Sequence, residues 1–544
     1  MKLFFNFLIL FSLSVQAVFG QEVNPHRWSS DNGDGTFSNP ILHMDFSDPD
    51  VVRAGDDYYM TASSFNCAPG LPILHSKDLV NWNLVNYALP KQVPTEVFEI
   101  PQHGNGVWAP CIRFHEGMFY IYYPDPDFGI YMIKTTDPEG TWSEPVLVKG
   151  GKGLIDPTPL WDNDGKVYLS YAFAGSRAGI KSLLFVCTMN SEGTVAYDDE
   201  VVVIDGHKEE PTIEGPKFYK RNGYYYIFAP AGGVPTGWQT ILRSKSVFGP
   251  YETKKVLHQG NTKINGPHQG AWVTTQTGED WFIHFQDKDA YGRIVHLQPM
   301  RWKNDWPVMG VDQNNDGIGE PVAIYKKPNV GKNHPKMAPP TSDEFNNIKL
   351  GLQWQWHANP KRGYGFPTSE GIYKLYCQPK QEGFVNLYSV PNLLLQKFPS
   401  ETFSATTKLT FNARGEGEKT GLLVMGLDYA YIGIEKRGDD LVIQQVSCKN
   451  ADKSGLEKIQ AEQKFKSNTM YLKVEVDLGG MCTFYFSDNN VKFKKFGTQF
   501  KAREGKWIGA KVGLFSTSEK AINDSGNADV DWFRLNKLNK MNHD

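Results

Sequence analysis

Three acidic residues in this chain open short apolar runs: Asp48 in FSDPDVV, Asp156 in LIDPTPL and Glu214 in TIEGPKF. Asp48 and Asp156 each precede a proline, which fixes the backbone and holds a short carboxylate in place. Glu214 reaches further, and Gly215 behind it permits close approach of a ligand. Taken singly, an Asp-Pro pair opens turns. Taken together, three carboxylates brought to one place would repel one another, which pushes their pKa values apart. Acid–base catalysis needs that separation, one group protonated to donate and another ionised to accept. Hydrolysis of a glycosidic bond is such a reaction, with an acid for the leaving oxygen and a base for the water. Asp50, two residues beyond Asp48, carries no such pattern and reads as structural.

A repeat must bring these acids together. Five segments share one grammar: a small polar or acidic motif, an apolar run, a polar turn and an aromatic strand. They start at Asp48, Trp108, Asp156, Glu214 and Gly270, at intervals of 60, 48, 58 and 56 residues. The turn begins 7, 7, 6, 7 and 7 residues into each. Short Tyr/Phe/Val/Ile strands around Gly/Asp/Asn turns predict β-hairpins. Fifty to sixty residues per repeat leaves room for four strands, the size of a propeller blade. The expectation is an all-β chain whose first half is a five-bladed β-propeller, with the opening residues of each blade converging on the axis.

The rest of the chain sets the frame. With 544 residues, two or more domains are expected. A net charge of −3 argues against a nucleic-acid or anionic-membrane role. Residues 1–20, with one lysine before an apolar run ending in small residues, read as a signal peptide cleaved near Ala17 or Gly20. No cysteine stands there to carry a lipid, and no other segment is long and apolar enough to span a bilayer. The expected destination is the periplasm or the medium. The propeller is expected over 21–325, a Pro/Lys/Asn-rich linker over 326–342, and a β-sandwich over 343–540, where alternating strands return with almost no helical period. Six cysteines are too few to staple so long a chain and read mostly as buried thiols. The stretch from Asp312 to Glu320 begins like an EF-hand loop but has Ala323 at position twelve, and reads as a turn.

With these stretches in view, the chain resembles glycoside hydrolase family 43, in the branch of β-xylosidases and α-L-arabinofuranosidases with a C-terminal concanavalin-like sandwich. The resemblance rests on FSDPDVVRAGDDYYMTASSF, PGLPILHSKDLVNW, NGVWAPCIRF, LIDPTPLWDNDGKVYLSYA, IEGPKFYKRNGYYYIFAPAGG, FQDKDAYGRIVHLQPMRW, DEFNNIKLGLQWQW and DVDWFRL. It implies an inverting glycosidase with Asp48 as general base and Glu214 as general acid. Asp156 would orient Glu214 and raise its pKa. Arg293 would hydrogen-bond the terminal sugar, with Trp108 and Phe65 as aromatic walls. No cofactor is implied for the chemistry. A largely water-coordinated calcium with His268 as its protein ligand is implied at the axis, and a second calcium in the sandwich between Asp343 and Asp531.

The implied activity is exo-acting release of terminal α-L-arabinofuranosyl or β-D-xylosyl units from plant hemicellulose or its oligosaccharides. An endo-arabinanase and a non-catalytic carbohydrate-binding protein are the alternatives. The implied partner is thus an arabinose- or xylose-containing saccharide. Two cysteines, Cys111 after WAP and Cys67 in SSFNC, depart from the family pattern and leave free thiols or a bridge open.

Overall fold

The computed structural model describes residues 28–538, so the expected signal peptide lies outside the described residues. Each of the five repeats folds as a four-stranded antiparallel sheet in simple sequence order. Blade 1 runs from Asp50–Ala54 to Trp82–Leu89, and blade 2 from Cys111–His115 to Val146–Gly150. Blade 3 runs from Leu154–Trp161 to Val201–Asp205, blade 4 from Lys217–Arg221 to Glu252–His258, and blade 5 from His268–Thr274 to Trp306–Met309. The first hairpins of blades 2 and 4 turn on Glu116-Gly117 and Asn222-Gly223, with positive φ at both positions of each pair. That is the turn whose twist matches paired strands.

The opening strands line the axis. Blade 1's packs against those of blades 2 and 5, and blade 3's against those of blades 2 and 4. The ring closes where Thr36–Ser38 pairs with Ile324–Lys326. The expected linker is fastened to the propeller: Val330 is buried in the core between blades 1 and 5, and Gln276 donates to its carbonyl (3.0 Å). Lys327 adds an ion pair to Asp31 (2.7 Å).

The second domain is a β-sandwich of two eight-stranded sheets. Its central strands include Lys419–Met425 and Lys511–Ser518 in one sheet, and Phe403–Asn412 and Asn527–Asn536 in the other. Their inward residues, such as Leu422, Leu472, Val512 and Phe533, form one apolar core. That core extends into the propeller through Ala290, Tyr291 and Ile294 of blade 5. Main-chain pairs cross the boundary at Ala68–Trp356 (3.1 and 2.6 Å) and Ala510–Ala290 (2.7 Å). The domains therefore share buried surface, and the sandwich stands against the same end of the propeller as the acids.

Candidate active site

Asp48 and Asp156 are both buried and both have left-handed backbone, with φ of 55° and 58°. Non-glycine residues adopt that conformation at a cost, and Asp tolerates it better than most. Each bend stands just before a proline, and at Asp156 it falls where the opening strand of blade 3 shifts register between Ile155 and Thr158. One strained turn used twice, in blades 1 and 3, is the structural content of the repeated Asp-Pro.

Asp48 is held as an acceptor by two hydroxyls and a cation. Its Oδ2 accepts from the hydroxyls of Ser47 (2.7 Å) and Ser63 (2.5 Å). Arg293 Nη1 lies 3.2 Å from Oδ1 and also donates to Ser47 (2.9 Å). The guanidinium stacks over Phe285, 4.8 Å from the ring centre. Arg293 is 9% exposed, so its charge is placed by burial and not by solvent.

Asp156 is in the opposite condition. Its Oδ2 accepts from the Gly215 N–H (2.8 Å) and from Gln269 Nε2 (3.2 Å). Burial, then Glu214, then Asp48, push it up to about 8. It makes no direct hydrogen bond to Glu214. It holds the peptide immediately after Glu214, and so fixes the acid through its backbone. Gly215 is required there: its φ is 60°, and a Cβ would stand 2.8 Å from the Gln269 amide. Glu214 is the accessible member of the set, with a side chain 35% exposed, and its Oε1 lies 3.0 Å from His268 Nε2.

The other expected residues divide. Trp108 is half-buried, donates its indole N–H to Gly104 (2.8 Å), and has Arg177 over its ring at 5.5 Å. Phe65 is 2% exposed, and its backbone is paired with Val107, next to Trp108. It lies beneath the Trp108 segment. Trp507 was not anticipated. This sandwich residue stands edge-on to Trp108 (6.4 Å between rings) and 5.8 Å from Arg293. Its loop is pinned by Asp45, whose carboxylate accepts from both Gly509 N–H (2.9 Å) and Arg293 N–H (2.8 Å). Ser63, Gln269, Asp45 and Trp507 carried no sequence signal, because each is defined only by a partner far along the chain.

The calcium expectations do not fit these side chains. His268 is buried with Nε2 turned to Glu214, and its Nδ1 has no partner. Among the described residues, no three His, Cys, Asp or Glu side chains are grouped to hold an ion. In the sandwich, Asp343 accepts from the Phe345 N–H (2.8 Å) and the Trp354 indole (2.9 Å), whereas Asp531 pairs with Lys408. The two carboxylates are committed to different structural partners. The cysteines are all unbridged and buried. Cys67 accepts from Lys511 at the domain boundary (2.9 Å), and Cys111 lies on the axis beside the Asp50–Arg113 ion pair (2.8 Å).

The chain is similar to known proteins along most of its length. The model for glycosyl hydrolases family 43 matches residues 37–307, and that for the β-xylosidase C-terminal concanavalin A-like domain matches residues 342–536. A β-xylosidase of Formosa agariphila is 31% identical over 553 residues, covering 92% of this chain and 90% of its own. A non-reducing end α-L-arabinofuranosidase of Bacteroides ovatus is 28% identical over 535 residues, covering 92% and 94%. Among solved structures, the family 43 protein BlXynB of Bacillus licheniformis superposes with a TM-score of 0.79 at 27% identity, covering 92% of this chain and all of that one.

Proposed function

The chain belongs to family 43 of the glycosyl hydrolases and is a glycosidase, and from that premise we propose that it is an inverting, exo-acting enzyme. It removes terminal α-L-arabinofuranosyl or β-D-xylosyl units from plant hemicellulose or its oligosaccharides. The observation that carries the reading is the convergence of Asp48, Asp156 and Glu214, with Asp156 feeling both of the others.

Asp48 is the general base. Two hydroxyls and a guanidinium hold it oriented toward a water on one face of the sugar. Glu214 is the general acid, because it alone of the three is exposed enough to meet a leaving oxygen. Asp156 positions it through Gly215 and supplies the repulsion that keeps a proton on the pair at neutral pH. Base and acid on opposite faces, separated by roughly 6.5–9.5 Å to admit water, produce inversion. Trp108, Arg293 and Trp507 wall the approach, and a wall supplied by the second domain favours chain ends over the middle of a polymer. Relatives named as β-xylosidase and as α-L-arabinofuranosidase support the choice of these two sugars. Discrimination between two such similar sugars in one pocket amounts to about 1–3 kcal/mol.

Glu214→Gln tests the assignment. Hydrolysis of unactivated pentosides should fall by about 10²–10⁴, and unchanged hydrolysis would refute it. Proton NMR of the first product should show the inverted anomer. Arabinoxylan and linear arabinan should release monosaccharide from the first minutes, whereas early oligomers would indicate endo cleavage. Export, expected from residues 1–20, belongs to the same proposal and is tested by fractionating the producing cells.

A further inference from the structure

The mechanism above uses one cation, Arg293, beside the base. A second cation lies on the far side of the acids. Lys217 opens the inner strand of blade 4, three residues after Glu214. It is 0% exposed. Its Nζ crosses the axis and donates to the Pro110 carbonyl of blade 2 (2.9 Å). No carboxylate lies within ion-pair distance of it among the described residues. A buried ammonium with one neutral partner is expensive, and an apolar side chain of similar volume would ordinarily be more stable there.

Its surroundings say what the charge acts on. The chain around Gly215 is tied to Asp156, and Lys217 is two residues further on, so ammonium and carboxylate are held by one short stretch. Asp156 is raised by burial, Glu214 and Asp48; the Gly215 N–H and then the Lys217 ammonium pull it back down, and Lys217 is the cation among them. On its other side Lys217 faces Cys111, whose thiol burial pushes up to about 12 and leaves uncharged. Below Cys111, Arg113 and Asp50 neutralise one another and Tyr219 faces Arg113. The remaining charged or titratable groups at the acids are His268 against Glu214 and Arg293 against Asp48. The field of Lys217 is therefore directed at the acid pair.

We propose that Lys217 is a positioning residue for the general acid: its ammonium, tied across the propeller axis, sets how tightly the Asp156–Glu214 pair holds its proton and hence the upper pH limit of catalysis. The inference rests on the acid roles given above. Because the cation favours the ionised pair, its removal leaves the proton bound to higher pH. Arg293 keeps its place at Asp48 throughout, so the acid limb is a built-in control.

The test is kcat/KM against pH for the wild type, Lys217→Gln and Lys217→Arg. In Lys217→Gln the alkaline limb should move up by about one pH unit or more, while the acid limb stays. In Lys217→Arg the alkaline limb should stay with the wild type. A purely structural lysine would lower activity at all pH values without moving either limb. An unmoved alkaline limb in Lys217→Gln, or an equal shift in Lys217→Arg, overturns the proposal. If Lys217→Gln does not fold by its melting curve, Lys217→Met, with a similar unbranched apolar stem, takes its place under the same criteria. Failure of the acid roles is separable: it would show as activity surviving in Glu214→Gln, whatever the Lys217 variants do.

Discussion

Asp156→Asn should stabilise the protein while disabling it. Asp156 is 2% exposed, and its carboxyl is carried from an ordinary 3.8 up to about 8. Below about pH 4 it is protonated both folded and unfolded, and its contribution to stability is complete. Between about 4 and 8 the unfolded chain gives up the proton while the folded chain keeps it, so stability is lost as pH rises through that window. At pH 7 the loss over three pH units, at about 1.4 kcal/mol each, is on the order of 4 kcal/mol. Asparagine has the same shape, keeps an oxygen for the Gly215 N–H, and cannot ionise. The variant should therefore recover part of that energy, about 1–4 kcal/mol at pH 7 and almost none at pH 4. In a domain of this size that is a rise of several degrees in the propeller's melting temperature. Glycosidase activity should meanwhile fall by about 10² or more, because Glu214 loses the partner that keeps the pair protonated. Calorimetry at pH 4, 6 and 8 on both proteins decides it. A variant that melts at or below the wild type at pH 8, or whose advantage does not grow with pH, would refute the account of Asp156 as a buried acid under repulsion.

Gly215→Ala should cost stability where Asp156→Asn gains it, and cost activity as well. A Cβ at φ 60° costs about 1–2 kcal/mol and pushes the Gln269 amide off Asp156, so calorimetry should show a modest loss and kinetics a large fall in kcat. Trp507→Ala should raise KM for pentosides more than it lowers kcat, and circular dichroism should find both domains folded, because the side chain is 44% exposed at the pocket rim. Acid should loosen the domain boundary: burial lowers His103 to about 4 and places His357 well below its ordinary value, and the two rings pack at 4.7 Å. Their contribution is complete above about pH 6.5 and is lost as pH falls toward 4, where the unfolded chain takes protons the folded one refuses. His357→Gln should flatten the fall in melting temperature between pH 6.5 and 4.5.

The sequence was legible where a local rule repeats. Asp48, Asp156 and Glu214 could be picked out because each opens a blade six or seven residues before its turn, and a propeller converts that recurrence into convergence. Asp50 read as structural, and it is: its carboxylate ties blade 1 to Ile112 (2.7 Å) and Arg113 in blade 2. For Phe65 and the calcium candidates the sequence could not show the neighbours, because residue type says nothing about which partner a side chain meets. In the structure His268 meets Glu214, and Asp531 meets Lys408. Lys217 looks in sequence like any strand-end lysine, and only the closed ring shows that it points across the axis.

The same reasoning explains why the second domain belongs to the site. Asp45 accepts from the main chain of Arg293 with one oxygen and from Gly509 of the sandwich with the other. Without the sandwich, one oxygen of that buried carboxylate would lose its partner, and the chain that sets Arg293 would lose an anchor. Tyr291, two residues before Arg293, donates its hydroxyl to the Glu401 carbonyl (2.9 Å) and helps form the sandwich core. The residue that orients the base is thus fastened on both sides to the domain that supplies Trp507. Loss of the sandwich would open the pocket and also release Arg293 from Asp48, so a propeller alone should lose kcat as well as its preference for chain ends. A change in product size with kcat preserved would show that the sandwich only walls the pocket and does not set the base.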